Sequence, residues 1–292
     1  MLLFLFAIPG LAAPVEPPLP WTKLGAKSYT LTVESARDAP GLDVSRSVTT
    51  PLTMRTVSRG DAEGVVRWEF GPATVEGDEC EQDWLDIQLA LAPGVVRPAI
   101  EMRIEDFGGL VEVVNRKAAL DAFLRILDEH PQPACVDVQP SDWVEEVESL
   151  QGRTLAGSAV ELFLMLLGAP LDTEEPTVYE DSLEQHISMV DVPARAEWRV
   201  VAHDARTVTV AWSRTAHPDA GAKALRRAAD DLVARGGTIT KAEAAIPGYV
   251  GATEKAELVI DRKSGWPTKL SYERMEHIGM YKVFSRVRFV AR

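Results

Sequence analysis

The feature that most constrains this fold is an alternation of apolar and polar residues with period two. Tyr29, Leu31 and Val33 alternate with Ser28, Thr30, Thr32 and Glu34. Val66, Trp68 and Phe70 alternate with Val65, Arg67 and Glu69, and Trp198 and Val200 with Glu197 and Arg199. Val208, Val210 and Trp212, and later Tyr281, Val283, Val287 and Phe289, repeat the pattern. Successive side chains of a strand point to opposite sides, so each segment is a strand with one dry and one solvated face. Such strands belong to antiparallel sheets, because parallel α/β cores need strands apolar on both faces. Turn chemistry agrees. Asp106-Phe107-Gly108-Gly109, His203-Asp204-Ala205-Arg206, Asp261-Arg262-Lys263-Ser264-Gly265 and Ile278-Gly279 each separate two such segments and read as hairpin connections.

Helical spacing is rarer. Residues 116–129 carry Ala119, Leu120, Phe123, Leu124 and Leu127 on one stripe, with Asn115 placed as N-cap and Pro131 beyond the end. Residues 142–150 form a short acidic segment, and 155–167 a strongly apolar one closed by Gly168-Ala169-Pro170. Pro218 suits the first turn of a helix to Arg235, stopped by Gly236-Gly237. The expected class is α+β: a curved, half-barrel-like antiparallel sheet with a few packed helices. A weak echo between Glu101–Val114 and Glu257–Tyr272, each strand–turn–strand, suggests two related β-rich halves. The division is residues 27–130 as a first β-rich half with a helix, 131–176 as a helical connector, and 177–292 as a second β-rich half with a helix.

Residues 1–13, Met1 to Ala13, read as a signal peptide, the apolar run being too short for the ~20 residues of a membrane span. Pro9 and Gly10 break it, and cleavage after Ala12 fits the small-residue rule. No Lys or Arg precedes the run, which leaves open a buried N-terminal strand or a late start. Residues 14–26 form a Pro-rich linker. The expectation is a secreted or periplasmic bacterial protein with no transmembrane segment in the mature chain. An oxidising compartment makes Cys80 and Cys135 a candidate disulfide, worth roughly 3–4 kcal/mol for a loop of about 55 residues.

Charge limits the partners. The chain has 31 basic and 44 acidic residues, a net charge of −13, which argues against nucleic acid or an anionic membrane. From Thr253 onward nine basic residues face five acidic ones; this is either a basic docking patch or an outer sheet face paired with acidic neighbours. No catalytic constellation emerges. The five histidines show no H-E-x-x-H spacing. Gly157-Ser158 opens an apolar helix rather than a nucleophile elbow, and there is no phosphate loop. The acidic stretches Glu79–Asp86 and Glu145–Glu148 lack a calcium-loop pattern. No catalytic residue, cofactor or metal is therefore expected, and a non-enzymatic protein is.

The run Ala256 to Arg274, built around Gly265-Trp266-Pro267, resembles a C-terminal hairpin of exported bacterial β-rich proteins with no assigned chemistry. Leu110–Asn115 followed by a helix, and Val192–Trp198, resemble further pieces of that pattern, together covering about half the chain. At the level of fold the chain is also loosely similar to lipoprotein-carrier half-barrels, in which a curved antiparallel sheet wraps helices around an apolar groove. The one-sided strands and the apolar segment 155–167 lead to the same expectation. If that segment is a lid, Phe163, Leu164 and Leu167 line a groove for an apolar ligand such as an acyl chain; if it is core, there is none. The partner is then a lipid or an envelope protein. The alternatives are a structural or interaction module of the envelope, and a hydrolase with an unrecognised carboxylate pair.

Overall fold

The computed structural model describes residues 25–39, 42–59, 63–78, 91–105, 110–130, 144, 163, 173–185, 190–217, 219–234, 250–278 and 281–292. Among them are twelve strands: β1 (Ala26–Ala39), β2 (Leu42–Arg59), β3 (Glu63–Phe70), β4 (Thr74–Gly77), β5 (Ile100–Glu105), β6 (Leu110–Val113), β7 (Thr177–Gln185), β8 (Val190–His203), β9 (Thr207–Ala216), β10 (Val250–Asp261), β11 (Pro267–Ile278) and β12 (Tyr281–Ala291). Two helices, α1 (Arg116–Glu129) and α2 (Ala220–Ala234), accompany them.

All twelve strands lie in one open antiparallel sheet, ordered β6-β5-β3-β2-β1-β12-β11-β10-β9-β8-β7, with β4 beside β2. It fits the expected curved sheet with few helices. The first strand pairs with the last over ten register positions in mid-sheet. Residues 26–113 thus run outward from this seam and residues 177–291 run back to it. The intervening segment links the two edges.

The turns form as their chemistry requires. At the β10–β11 turn, Asp261 Oδ1 accepts from the Ser264 N–H and hydroxyl at 2.7 Å each, and Gly265 takes φ +73°. At the β8–β9 turn, Asp204 Oδ1 accepts the N–H groups of Arg206 and Thr207, both at 2.7 Å. Pro51 lies within the long central strand β2, where a missing N–H would normally break a ladder. It is tolerated because it faces the break between β3 and β4; there its carbonyl accepts the Gly71 N–H at 2.7 Å.

Asn115 stands at the N-cap position of α1 as expected, but its side chain makes no capping hydrogen bond. Its side chain instead clips the helix to the start of β5, accepting from Glu101 N at 2.8 Å and donating to Ala99 O at 2.9 Å. Ala119, Leu120 and Phe123 are the buried stripe of that helix. Helix α2 packs on β8 and β10, strands that carry Ala194 and Ala252, two members of a small buried cluster with Leu183. The main core lies on one face of the sheet, here the inner face, and runs from Leu110 and Val113 on β6 to Trp198 on β8.

The basic C-terminal stretch resolves into an outer face paired with acidic neighbours. Lys269 meets Glu257, Arg286 meets Glu273 and Glu34, Arg288 meets Glu34, and Lys282 approaches Asp38.

Candidate functional site

The strand registers divide the inner face into rungs, each crossing many strands. One apolar rung joins Val210, Leu258, Leu270, Phe289 and Leu31 across β9, β10, β11, β12 and β1. Beside it, Trp212, Ala256, Tyr272, Val287, Val33 and Val48 continue on to β2. The Phe163 side chain, 2% exposed, is packed against the central strands of this face. Its ring meets Tyr29 at 5.9 Å, Trp68 at 5.6 Å and Phe289 at 5.2 Å between centroids. These are the tilted and edge-to-face geometries that aromatic pairs favour. Of the three residues expected to line a groove, Phe163 is therefore in contact with strands β1, β3 and β12. Leu164 and Leu167 lie outside the described residues, as do Cys80 and Cys135.

The next rung is charged. Arg214 on β9, Glu254 on β10 and Arg274 on β11 stand opposite one another, followed by Ser285, Ser35 and Arg46 on β12, β1 and β2. Glu254, 1% exposed, accepts from Arg214 Nε at 2.7 Å, Arg274 Nη1 at 2.8 Å and the Tyr272 hydroxyl at 2.8 Å. Arg274 also pairs with buried Glu276 through Nε at 2.6 Å. Arg214 reaches across β8 to Asp181 Oδ2 at 3.0 Å and the Ser182 carbonyl at 2.9 Å. The intervening strand presents only Ala194 and Ala196 there, small enough to let the guanidinium pass.

Burial opposes the charges on Arg214 and Arg274. Glu254 and Asp181 outweigh it for the first, and Glu276 and Glu254 for the second, so both hold their protons more firmly than usual. Burial, reinforced by the neighbouring Glu254 charge, pushes the Tyr272 hydroxyl well above its ordinary range. Every carboxylate on this rung thus meets a guanidinium, an arrangement suited to fixing strands rather than to proton transfer.

Alternation alone could have found these residues. Extending the inward pattern Val208–Val210–Trp212 by one step reaches Arg214, and Leu270–Tyr272 extends to Arg274 and Glu276. The sequence signal was thus a charged residue in apolar register, not a motif. His217 places its backbone N–H on Pro193 O at 2.9 Å and its ring on Glu180 at 2.7 Å, tying the end of β9 to β7. Among the described residues no three His, Cys, Asp or Glu side chains form a cluster able to hold a metal ion.

The outer face carries open polar hollows. One, of about 560 Å³, is lined by Glu197, Arg199, Lys255, Glu257, Lys269 and Glu273 among others. Its alternating charges resemble an ordinary solvated sheet surface.

No protein-family model matches the chain, and no curated protein is significantly similar to it. Among solved structures, lipovitellin, described for its lipid–protein interactions, aligns with 91% of this chain at 7% identity and a TM-score of 0.46. The chain spans only 25% of that protein. DynF, from the dynemicin biosynthesis pathway of Micromonospora chersina, aligns over 97% of this chain and 86% of its own at 8% identity, with a TM-score of 0.19. Likenesses at this level carry no conclusion about what the chain does.

Proposed function

We propose that the chain is an exported, non-enzymatic binding protein whose inner sheet face takes an apolar ligand, an acyl chain being the best fit. One observation carries this reading. On a broad face that includes Tyr29, Leu31, Trp68, Leu270 and Phe289, one of the described side chains packed against Tyr29, Trp68 and Phe289 is Phe163, which comes from the connector and not from the sheet. A side chain of that kind can be exchanged for a ligand of similar shape without disturbing any ladder hydrogen bond. The arginine-held carboxylates Asp181, Glu254 and Glu276 support a binding role over a hydrolytic one, since a catalytic pair needs a carboxyl free to donate or accept a proton.

The test is native mass spectrometry of the full chain after mild purification, with titration by a dansyl-labelled fatty acid. Co-purified lipid or saturable binding is expected. Phe163→Ala should tighten binding roughly threefold or more, because an apolar cavity stays dry and admits apolar guests. Absence of lipid, together with no saturable binding in either protein, overturns the reading.

A further inference from the structure

Among the described residues, two neighbouring polar groups of the inner face are left unanswered by its own chemistry. The Trp68 indole N–H and the Thr56 hydroxyl are both fully enclosed and have no hydrogen-bond partner. Their neighbours on the same face are satisfied: the Tyr29 hydroxyl donates to Pro267 O at 2.9 Å, and Trp198 and Trp212 donate to the Tyr179 hydroxyl at 3.2 and 3.3 Å. Buried donors without acceptors are rare, and each one calls for an explanation.

Position links the two. Met54 on β2 stands opposite Trp68 on β3, and Thr56 stands opposite Val66. Thr56 and Trp68 are therefore diagonal neighbours on one face, about 7–8 Å apart at Cβ, near enough for an indole and a hydroxyl to converge on one oxygen. Trp68 is also the residue whose ring Phe163 meets edge-on. The backbone N–H of Thr56 is already paired with Gly25 O at 2.9 Å, so only the side chain is left over.

We propose that Trp68 Nε1 and Thr56 Oγ1 form a seat for the carbonyl oxygen of an acyl ester or amide. This rests on the apolar-ligand reading and names the ligand's polar end. A neutral carbonyl fits better than a carboxylate. Trp68 and Thr56 offer two neutral donors and lie among Met54, Val66 and Met102, where a carboxylate without a cation of its own would be strongly disfavoured.

The experiment uses the full chain with pyrene as a reporter, displaced in turn by methyl palmitate, palmitate and hexadecane. Wild-type protein should prefer methyl palmitate over hexadecane by about tenfold, the worth of a well-made hydrogen bond. Thr56→Val, which keeps shape and loses only the hydroxyl, should abolish most of that preference while binding pyrene unchanged. Trp68→Phe should lose the same preference, read as the ratio of ester to hexadecane displacement within that variant, because trimming the indole also alters the apolar face that pyrene contacts. In lipid-free Thr56→Val the melting temperature should rise, since an unanswered hydroxyl is gone. Pyrene binding with no ester preference in wild type, or a preference untouched in both variants, overturns the seat and leaves the apolar-ligand reading standing. A lowered melting temperature in Thr56→Val with unchanged preference marks a sequestered water and also overturns it. Failure of pyrene and all three displacers to bind overturns both.

Discussion

Replacing Glu254 by Gln measures how much the charged rung contributes to the fold. The carboxylate is almost completely enclosed and accepts three hydrogen bonds, two from guanidinium groups at 2.7 and 2.8 Å and one from a phenol at 2.8 Å. Glutamine keeps the volume and removes the charge. Its single oxygen cannot serve three donors, and its amide N–H₂ must face a guanidinium, donor against donor. Breaking a buried ion pair while its partners stay buried costs about 3–5 kcal/mol. In a chain of this size that lowers the melting temperature by roughly 6–20 °C. Urea unfolding should show the loss as a shift in midpoint at constant slope. Glu257→Gln is the internal control. Glu257 also faces a cation on β11, Lys269 at 3.1 Å, but both side chains are about half exposed, 49% and 53%. An exposed pair of this kind is worth about 0–1 kcal/mol. A Glu254→Gln loss below about 1 kcal/mol, or one equal to that of Glu257→Gln, would refute the assignment of stability to burial.

Two further outcomes follow from backbone and turn chemistry. Gly77 has φ +97°, and a Cβ there would meet the Ser45 carbonyl oxygen at 2.1 Å, whereas Gly94 has φ +81° and open space around it. Gly94→Ala should cost only conformational strain, about 1–2 kcal/mol, and Gly77→Ala clearly more, compared by urea midpoint; equal losses would discount the clash. The Asp261 carboxyl is held below its ordinary range, first by the Ser264 hydroxyl and then by the Ser264 N–H. A lowered folded value means the stabilisation is complete above the unfolded value of about 3.9 and disappears as pH falls through the folded one. Melting temperatures of wild type and Asp261→Asn should therefore differ by a constant amount above about pH 5 and converge in acid; a gap independent of pH contradicts this.

The sheet was legible because its signal is local and redundant. Each strand shows its own alternation, and Asp204 and Asp261 make their turns with their own side chains. Strand order was not legible: nothing in Tyr29–Val33 announces that its partner is Val287–Ala291, a pairing made by chain closure over the whole length. Asn115 takes the N-cap position that its place before a helix suggests, but the backbone N–H of Glu101 and the carbonyl of Ala99 engage its amide, so the side chain does not cap. The charged rung escaped a search for motifs because its members are spread over β7, β9, β10 and β11 and only register brings them together.

That same register gives the rung a role apolar residues cannot fill. A slip of one residue between strands turns every side chain to the wrong face, but a slip of two keeps the apolar set inward. The apolar pattern alone therefore discriminates weakly against a two-residue error. Sliding β10 by two along β11 would place Glu254 opposite Tyr272 or Glu276 instead of Arg274, and along β9 opposite Trp212 or Ala216 instead of Arg214. Either shift strands the buried Glu254 carboxylate and takes from the facing arginine one of its two acid partners, a far larger penalty than a change of apolar neighbours. The combined variant Arg214→Met, Glu254→Leu, Arg274→Met and Glu276→Leu separates stability from register. Its urea midpoint should equal or exceed that of wild type, since apolar replacements of buried ion pairs are often neutral or stabilising. Its near-UV dichroism from Trp198, Trp212 and Tyr272 should weaken, and amide exchange across β9, β10 and β11 should quicken, as strands sample shifted pairings. A variant as stable as wild type with undiminished near-UV signal and exchange protection would show that the apolar rungs set the register by themselves.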